Sequence, residues 1–114
     1  MANESILNVI WNCYACVRNQ MPTEGRLLFS MRLTQIPFTD AEGVEGGFKA
    51  NVVGAWHPWH SGEYRWERAG HNQLRIGETD ILQVQEVTKD FLRLTTPDFK
   101  TTYYFIAQKA KSLF

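Results

Sequence analysis

The chain has 114 residues, enough to enclose one hydrophobic core and too few for a second, so a single domain over 1–114 is expected. Twelve basic residues balance twelve acidic ones and neither sign is gathered into a block. That disfavours nucleic acid, whose phosphates call for concentrated positive charge, and equally an electrostatic membrane partner.

At the amino terminus, Met-Ala-Asn-Glu-Ser lacks the basic and apolar regions of a secretory leader, and no stretch reaches membrane-spanning length. A soluble cytoplasmic chain is the expectation, although a leader removed before this sequence begins would leave no trace in it. Residues 5–17 admit two readings. As a strand they place Val9, Trp11, Cys13, Ala15 and Val17 on one face; as a helix they show a polar stripe of Asn8, Asn12 and Asn19, with Asn3 or Ser5 as cap. Val, Ile, Trp, Asn, Cys and Tyr are mediocre helix formers, which favours the strand. Cys13-Tyr14-Ala15-Cys16 spells a CxxC motif, but redox use needs the first thiol at a helix start. On a regular strand the two sulfurs face opposite ways, ~10 Å apart at Cα, beyond disulfide reach. Buried, reduced cysteines are expected instead.

Arg26 to Ile36 alternates Leu27, Phe29, Met31 and Leu33 with Ser30, Arg32 and Thr34, the period of a half-buried strand. A loop rich in glycine and acid follows from Pro37 to Gly47. Its Gly-Val-Glu-Gly-Gly has no lysine or following helix, so it is no phosphate loop. Phe48, Ala50 and Val52 alternate with Lys49 and Asn51 in a strand running to Trp56. Next comes the densest cluster of unusual side chains, Trp56-His57-Pro58-Trp59-His60, read as a polar, aromatic loop. His57 and His60 are weak metal candidates, because residues three apart on a strand diverge unless Pro58 turns the chain, and no second ligand cluster completes a site.

The clearest signal is the ladder from Gly62 to Ala107. Tyr64 and Trp66 oppose Glu63, Arg65 and Glu67, and a turn at 69–72 leads to Leu74 and Ile76. Leu82 and Val84 then share a face, as do Leu92 and Leu94. Lys89-Asp90 and Pro97-Asp98 are turn pairs, and 101–107 is a strand rich in Tyr, Thr and Phe. The tail from 108 reads as a short helix or a frayed end. These elements form an antiparallel meander with an almost wholly apolar inner face, and neither a nucleophile elbow nor a cofactor motif interrupts it.

The stretch from Gly62 to Lys109 resembles the closing half of small bacterial lipocalin-like domains, through Gly62, Tyr64, Trp66, Asn72, Leu74, Ile76, Val87, Thr88, Leu92, Leu94, Tyr103 and Tyr104. Trp11 matches the tryptophan that opens their first strand, although Val9 stands where those domains carry glycine. The resemblance implies an up-and-down antiparallel barrel, closed or half-open, of about eight strands, all-β, with room for side chains or one small ligand. It specifies no ligand, and no cofactor is implied.

The expected function is non-catalytic binding of a small apolar or aromatic ligand in the barrel mouth. Trp11, Phe29, Tyr64, Trp66 and Tyr103 would line the interior, with Trp56 and Trp59 at the rim. The plain alternative for Tyr64 and Trp66 is barrel core. The competing function is a protein-interaction module, its barrel filled by its own side chains, docking a partner protein or a second copy of itself.

Overall fold

The structure is a computed structural model that describes residues 6–56, 59–77 and 80–108, without the side chains of 24–26 and 55–56. Its strands are β1 (Trp11–Arg18), β2 (Met21–Thr39), β3 (Glu45–Trp56), β4 (Trp59–Gly70), β5 (Gln73–Ile76), β6 (Asp80–Val87), β7 (Phe91–Thr95) and β8 (Thr101–Ala107). Each pairs antiparallel with the next, and β1 pairs with β8, so the sheet is a closed eight-stranded up-and-down barrel. Closure leaves no unpaired edge. No described residue lies in an α-helix.

The apolar alternation sets the inner face. Phe29, Met31 and Leu33 of β2, Ala50 and Val52 of β3, Trp66 of β4, Leu74 and Ile76 of β5, Leu82 of β6, and Leu92 and Leu94 of β7 meet Tyr103 and Phe105 of β8 in one buried cluster. Aromatic edges interlock there: the Phe29 ring stands perpendicular to those of Tyr103 and Phe105, at 6.0 and 5.6 Å between centroids. Outside, the same strands pair opposite charges, Arg75 with Glu67 at 3.6 Å and Arg93 with Glu86 at 3.4 Å, both directly across a strand boundary.

Residues 5–17 are not one uninterrupted strand. Asn8 has φ 59°, which breaks the extended path, and β1 begins only at Trp11. Before it, Leu7 bridges to Leu33, and Ile6 is buried in the core. The Trp11 indole N–H donates to the Ile6 carbonyl at 3.1 Å. This segment caps one end of the barrel, here termed the Trp11 end.

β2 is longer than the alternation at 26–36 indicated, and it takes up part of the expected 37–47 loop. Pro37 is accommodated because it sits at a register shift, where a missing N–H costs no ladder bond. The remaining turn at 40–44 is held by Asp40, whose carboxylate accepts from the N–H groups of Glu42 and Val44.

In β1 the fold departs most from a regular strand. Tyr14 and Ala15 together stand opposite Tyr104, a bulge that reverses the inside–outside phase of all that follows. Cys16 and Arg18 therefore point inward and Val17 outward, opposite to the phase expected for an unbroken strand. Both Cys13 and Cys16 are buried on the inside, rather than facing opposite ways, and neither is in a disulfide.

Candidate functional site

The last residues of β1, β3, β5 and β7 lie at the end opposite the cap, termed the Arg18 end. Four aromatic or polar side chains converge inside it. Tyr103 lies directly across from Cys16, and Arg18 is one pleat further out, across from Thr101. Trp59 opens β4 and pairs with Trp56, bringing its indole over the same space. At 2 % exposure Trp59 is buried, not the exposed rim aromatic that a loop at 56–60 implied. Its place in β4, paired with Trp56, sets the ring against Tyr64, with centroids 5.9 Å apart and edge to face.

Burial pushes the Tyr103 phenol above its ordinary value, while Arg18 and then Trp59 act in the opposite direction through its hydroxyl. Both therefore lie close to that oxygen. The Trp59 indole N–H nevertheless makes no hydrogen bond of acceptable geometry, and it is shielded from solvent. A buried donor without an acceptor is costly, ~1–3 kcal/mol, and marks a place where the packing is incomplete in polar terms. The other buried indoles contrast with it. Trp11 donates to Ile6, and Trp66 donates to the Thr34 carbonyl at 2.8 Å.

The expected lining residues separate into two groups. Trp59, Tyr64 and Tyr103 come together at the Arg18 end, Phe29 packs just beneath them, and Trp11 and Trp66 lie toward the capped end as core. Tyr64 is half-buried and its hydroxyl donates to the His60 carbonyl at 2.9 Å. His60 itself is exposed, and His57 and the Trp56 side chain lie outside the described residues. No group of three or more His, Cys, Asp or Glu among the described residues is placed to hold a metal ion. The alternation did not reveal Arg18 and Cys16, because their inward aim depends on the bulge at Tyr14-Ala15, which leaves no mark in the hydrophobic pattern.

Beside this end, on the outer surface, Val17, Asn19, Gln20, Phe99, Lys100 and Thr102 line a groove of about 330 Å³. Asn19, Gln20 and Phe99 have φ of 51, 69 and 61°. Such values suit asparagine but strain glutamine and phenylalanine. Phe99 is also 62 % exposed, so burial of its ring does not offset the strain.

A second surface feature lies on the outside of β7, β8 and β1. Phe91 and Ile106 are direct cross-strand partners and are 48 % and 41 % exposed. Tyr14 and Tyr104, with centroids 6.5 Å apart, continue the patch. No family model matches the chain, nor does any curated protein or solved structure.

Proposed function

We propose that this barrel is a non-catalytic binding protein that takes a small apolar or aromatic ligand at its Arg18 end, in the manner of the lipocalin-like domains its second half resembles. The observation that carries the reading is the asymmetry of the two ends. The Trp11 end is capped by Ile6 and Leu7 with its indole hydrogen-bonded, whereas at the Arg18 end the buried Trp59 indole has an unpaired N–H. Moving the Trp59 ring aside breaks no hydrogen bond and uncovers Tyr64, Tyr103 and Phe29, a surface suited to an aromatic guest. Native mass spectrometry with phenylbutanol should detect a one-to-one complex, accompanied by a saturable change in tryptophan fluorescence. Absence of saturable binding across a panel of apolar and aromatic compounds would remove this reading.

The outer patch supports a second reading, association with a partner protein or another copy. Beside the Arg93–Glu86 ion pair on the outer face, Phe91, Ile106, Tyr14 and Tyr104 put apolar surface into water. If the patch mediates self-association, sedimentation of the wild-type chain will depend on concentration and the I106K variant will remain monomeric. A wild-type monomer at all concentrations would exclude the self-associating form.

A further inference from the structure

The bulge in β1 brings Cys13 and Cys16 to one face of the sheet. Against β8, Cys13 stands opposite Phe105 and Cys16 opposite Tyr103, so the three-residue step between the cysteines shortens to the span of two strand residues. Their Cα atoms are then ~6.7 Å apart, rather than the ~10 Å of an unbroken strand. Both side chains point into the core, at 0 % and 1 % exposure. The Cys13 S–H donates to the Ala15 carbonyl at 3.4 Å, which sets its sulfur beside the peptide joining Ala15 to Cys16. Burial is the main cause that raises the Cys13 thiol, and the charge of an ionised Cys16 adds to it, so the two sulfurs lie within electrostatic reach of each other. Spacing decides what can join them. Side chains on one face of a strand project nearly parallel, so Cβ atoms stand about as far apart as Cα atoms. A disulfide needs Cβ atoms within about 4.5 Å. An ion bonded to both sulfurs at ~2.3 Å spans ~4.6 Å, longer than an S–S bond by ~2.5 Å, and that difference closes the gap.

We propose that Cys13 and Cys16 form a two-coordinate site for copper(I). Thiolates are soft ligands that select this ion, whereas structural zinc takes four ligands. Among the described residues no third His, Cys, Asp or Glu joins the pair. Phe29 and Phe105 flank Cys13 on the neighbouring strands and Tyr103 flanks Cys16, an aromatic setting that withholds water as a further ligand. On binding, each S–H releases its proton to solvent as a sulfur–copper bond forms. The metal enters and stays as copper(I), so no oxidant or reductant takes part. Burial and the repulsion of a second thiolate disfavour ionised Cys13, and a cation bonded to both sulfurs offsets the two together. The backbone at Ala15 and Tyr104 and the charge of Arg18 already favour the ionised sulfur. The site needs no ligand at the Arg18 end.

The test is anaerobic titration of the full chain with copper(I) in competition with the coloured chelator bicinchoninate. Each point is held until the absorbance is constant, because an ion reaches buried sulfurs only as the barrel opens locally. Wild type should withdraw one copper(I) per chain from the chelator. C13A and C16A should each lose at least about 100-fold in affinity, since even changes outside the ligand shell of a metal site cost about 10–100-fold. Saturation with copper(I) should also raise the urea midpoint of wild type and leave that of C16A unchanged, because an ion held by the folded chain stabilises it by mass action. No uptake by wild type, uptake that survives in either single variant, or a midpoint lowered by the ion, as capture by the unfolded chain would give, overturns the proposal. So does an equal affinity for zinc(II), which would mean that more ligands gather than these two. Should a variant fail to fold, the wild-type stoichiometry and the sign of the midpoint shift decide the matter.

Discussion

Gly54 shows how closely two strands approach at the β3 bulge. Its φ is 145°, and a Cβ added there would stand 2.6 Å from the Phe29 Cβ and 2.8 Å from its Cα. The backbone of β2 cannot yield without moving Phe29, which sits in the middle of the aromatic cluster. The Ser61 hydroxyl completes the bulge by accepting from the Gly54 N–H at 2.8 Å and donating to its carbonyl at 3.0 Å. Gly54→Ala should therefore cost about 2–3 kcal/mol in urea unfolding, combining overpacking with an unfavourable dihedral. A loss under half a kilocalorie, on the order of a surface substitution, would mean that the two strands are not this close.

Cys13 makes a second residue-scale prediction. Burial pushes its thiol from 9.0 up to about 12. Between those values the unfolded chain gives up the proton and the folded chain keeps it, so the folded state binds more protons and loses relative stability as pH rises. Below pH 9 the group contributes no slope. The loss should run at about 1.4 kcal/mol per pH unit across the window. Tyr103, also raised by burial, adds a loss of the same sign at higher pH. Urea unfolding of wild type and C13A over the alkaline range should show the slope reduced in the variant. The same burial makes the native thiol slow to react with thiol reagents until the barrel opens.

At the scale of elements, bulges decide where side chains point. The ladder from Gly62 onward was legible in the sequence because its strands keep period two except at the register shifts after Arg68 and Val84, and their turns carry Gly, Asn, Asp or Pro. Tyr64, Trp66, Leu74, Leu82 and Leu92 all face the interior as their alternation requires. Where a bulge intervenes, alternation misleads. Val17 and Arg18 exchange faces for this reason, and so the half of the site on β1 was hidden while Tyr103 on regular β8 was not. Trp59 was misplaced by a different cause. Adjacent His and Pro suggest a loop, but the β3–β4 ladder resumes beyond the shift between Val52 and Ala55 and runs to the pairing of Trp56 with Trp59.

The β1–β2 connection is a two-residue hairpin, Asn19-Gln20, with both φ positive. Such a turn matches the twist of the strands, and glycine is the residue its second position favours. Gln20→Gly should relieve the strain and stabilise the fold by about 0.5–1 kcal/mol, read as a higher urea midpoint with an unchanged slope. Destabilisation would show instead that the Gln20 side chain makes a contact that outweighs the dihedral cost. The ion pairs on neighbouring faces are exposed, Lys49 with Glu63 at 3.7 Å among them, and such pairs are typically worth under about 1 kcal/mol.

For the whole molecule, closure and asymmetry carry the account. Pairing of β1 with β8 turns eight strands into a barrel without edges, and the first turn of chain, folded over Trp11, closes one end. The two proposed functions use the other end and the outer patch on β7, β8 and β1. The measurement that separates these most directly is a set of amide proton–nitrogen correlation spectra of the full chain titrated with phenylbutanol. The account predicts saturable shifts concentrated at Cys16, Arg18, Trp59 to Tyr64 and Tyr103, with the Trp59 indole N–H among the largest, and little change at Phe91 or Ile106. Saturable shifts confined to the outer face of β7 and β8, or none at all, would contradict it.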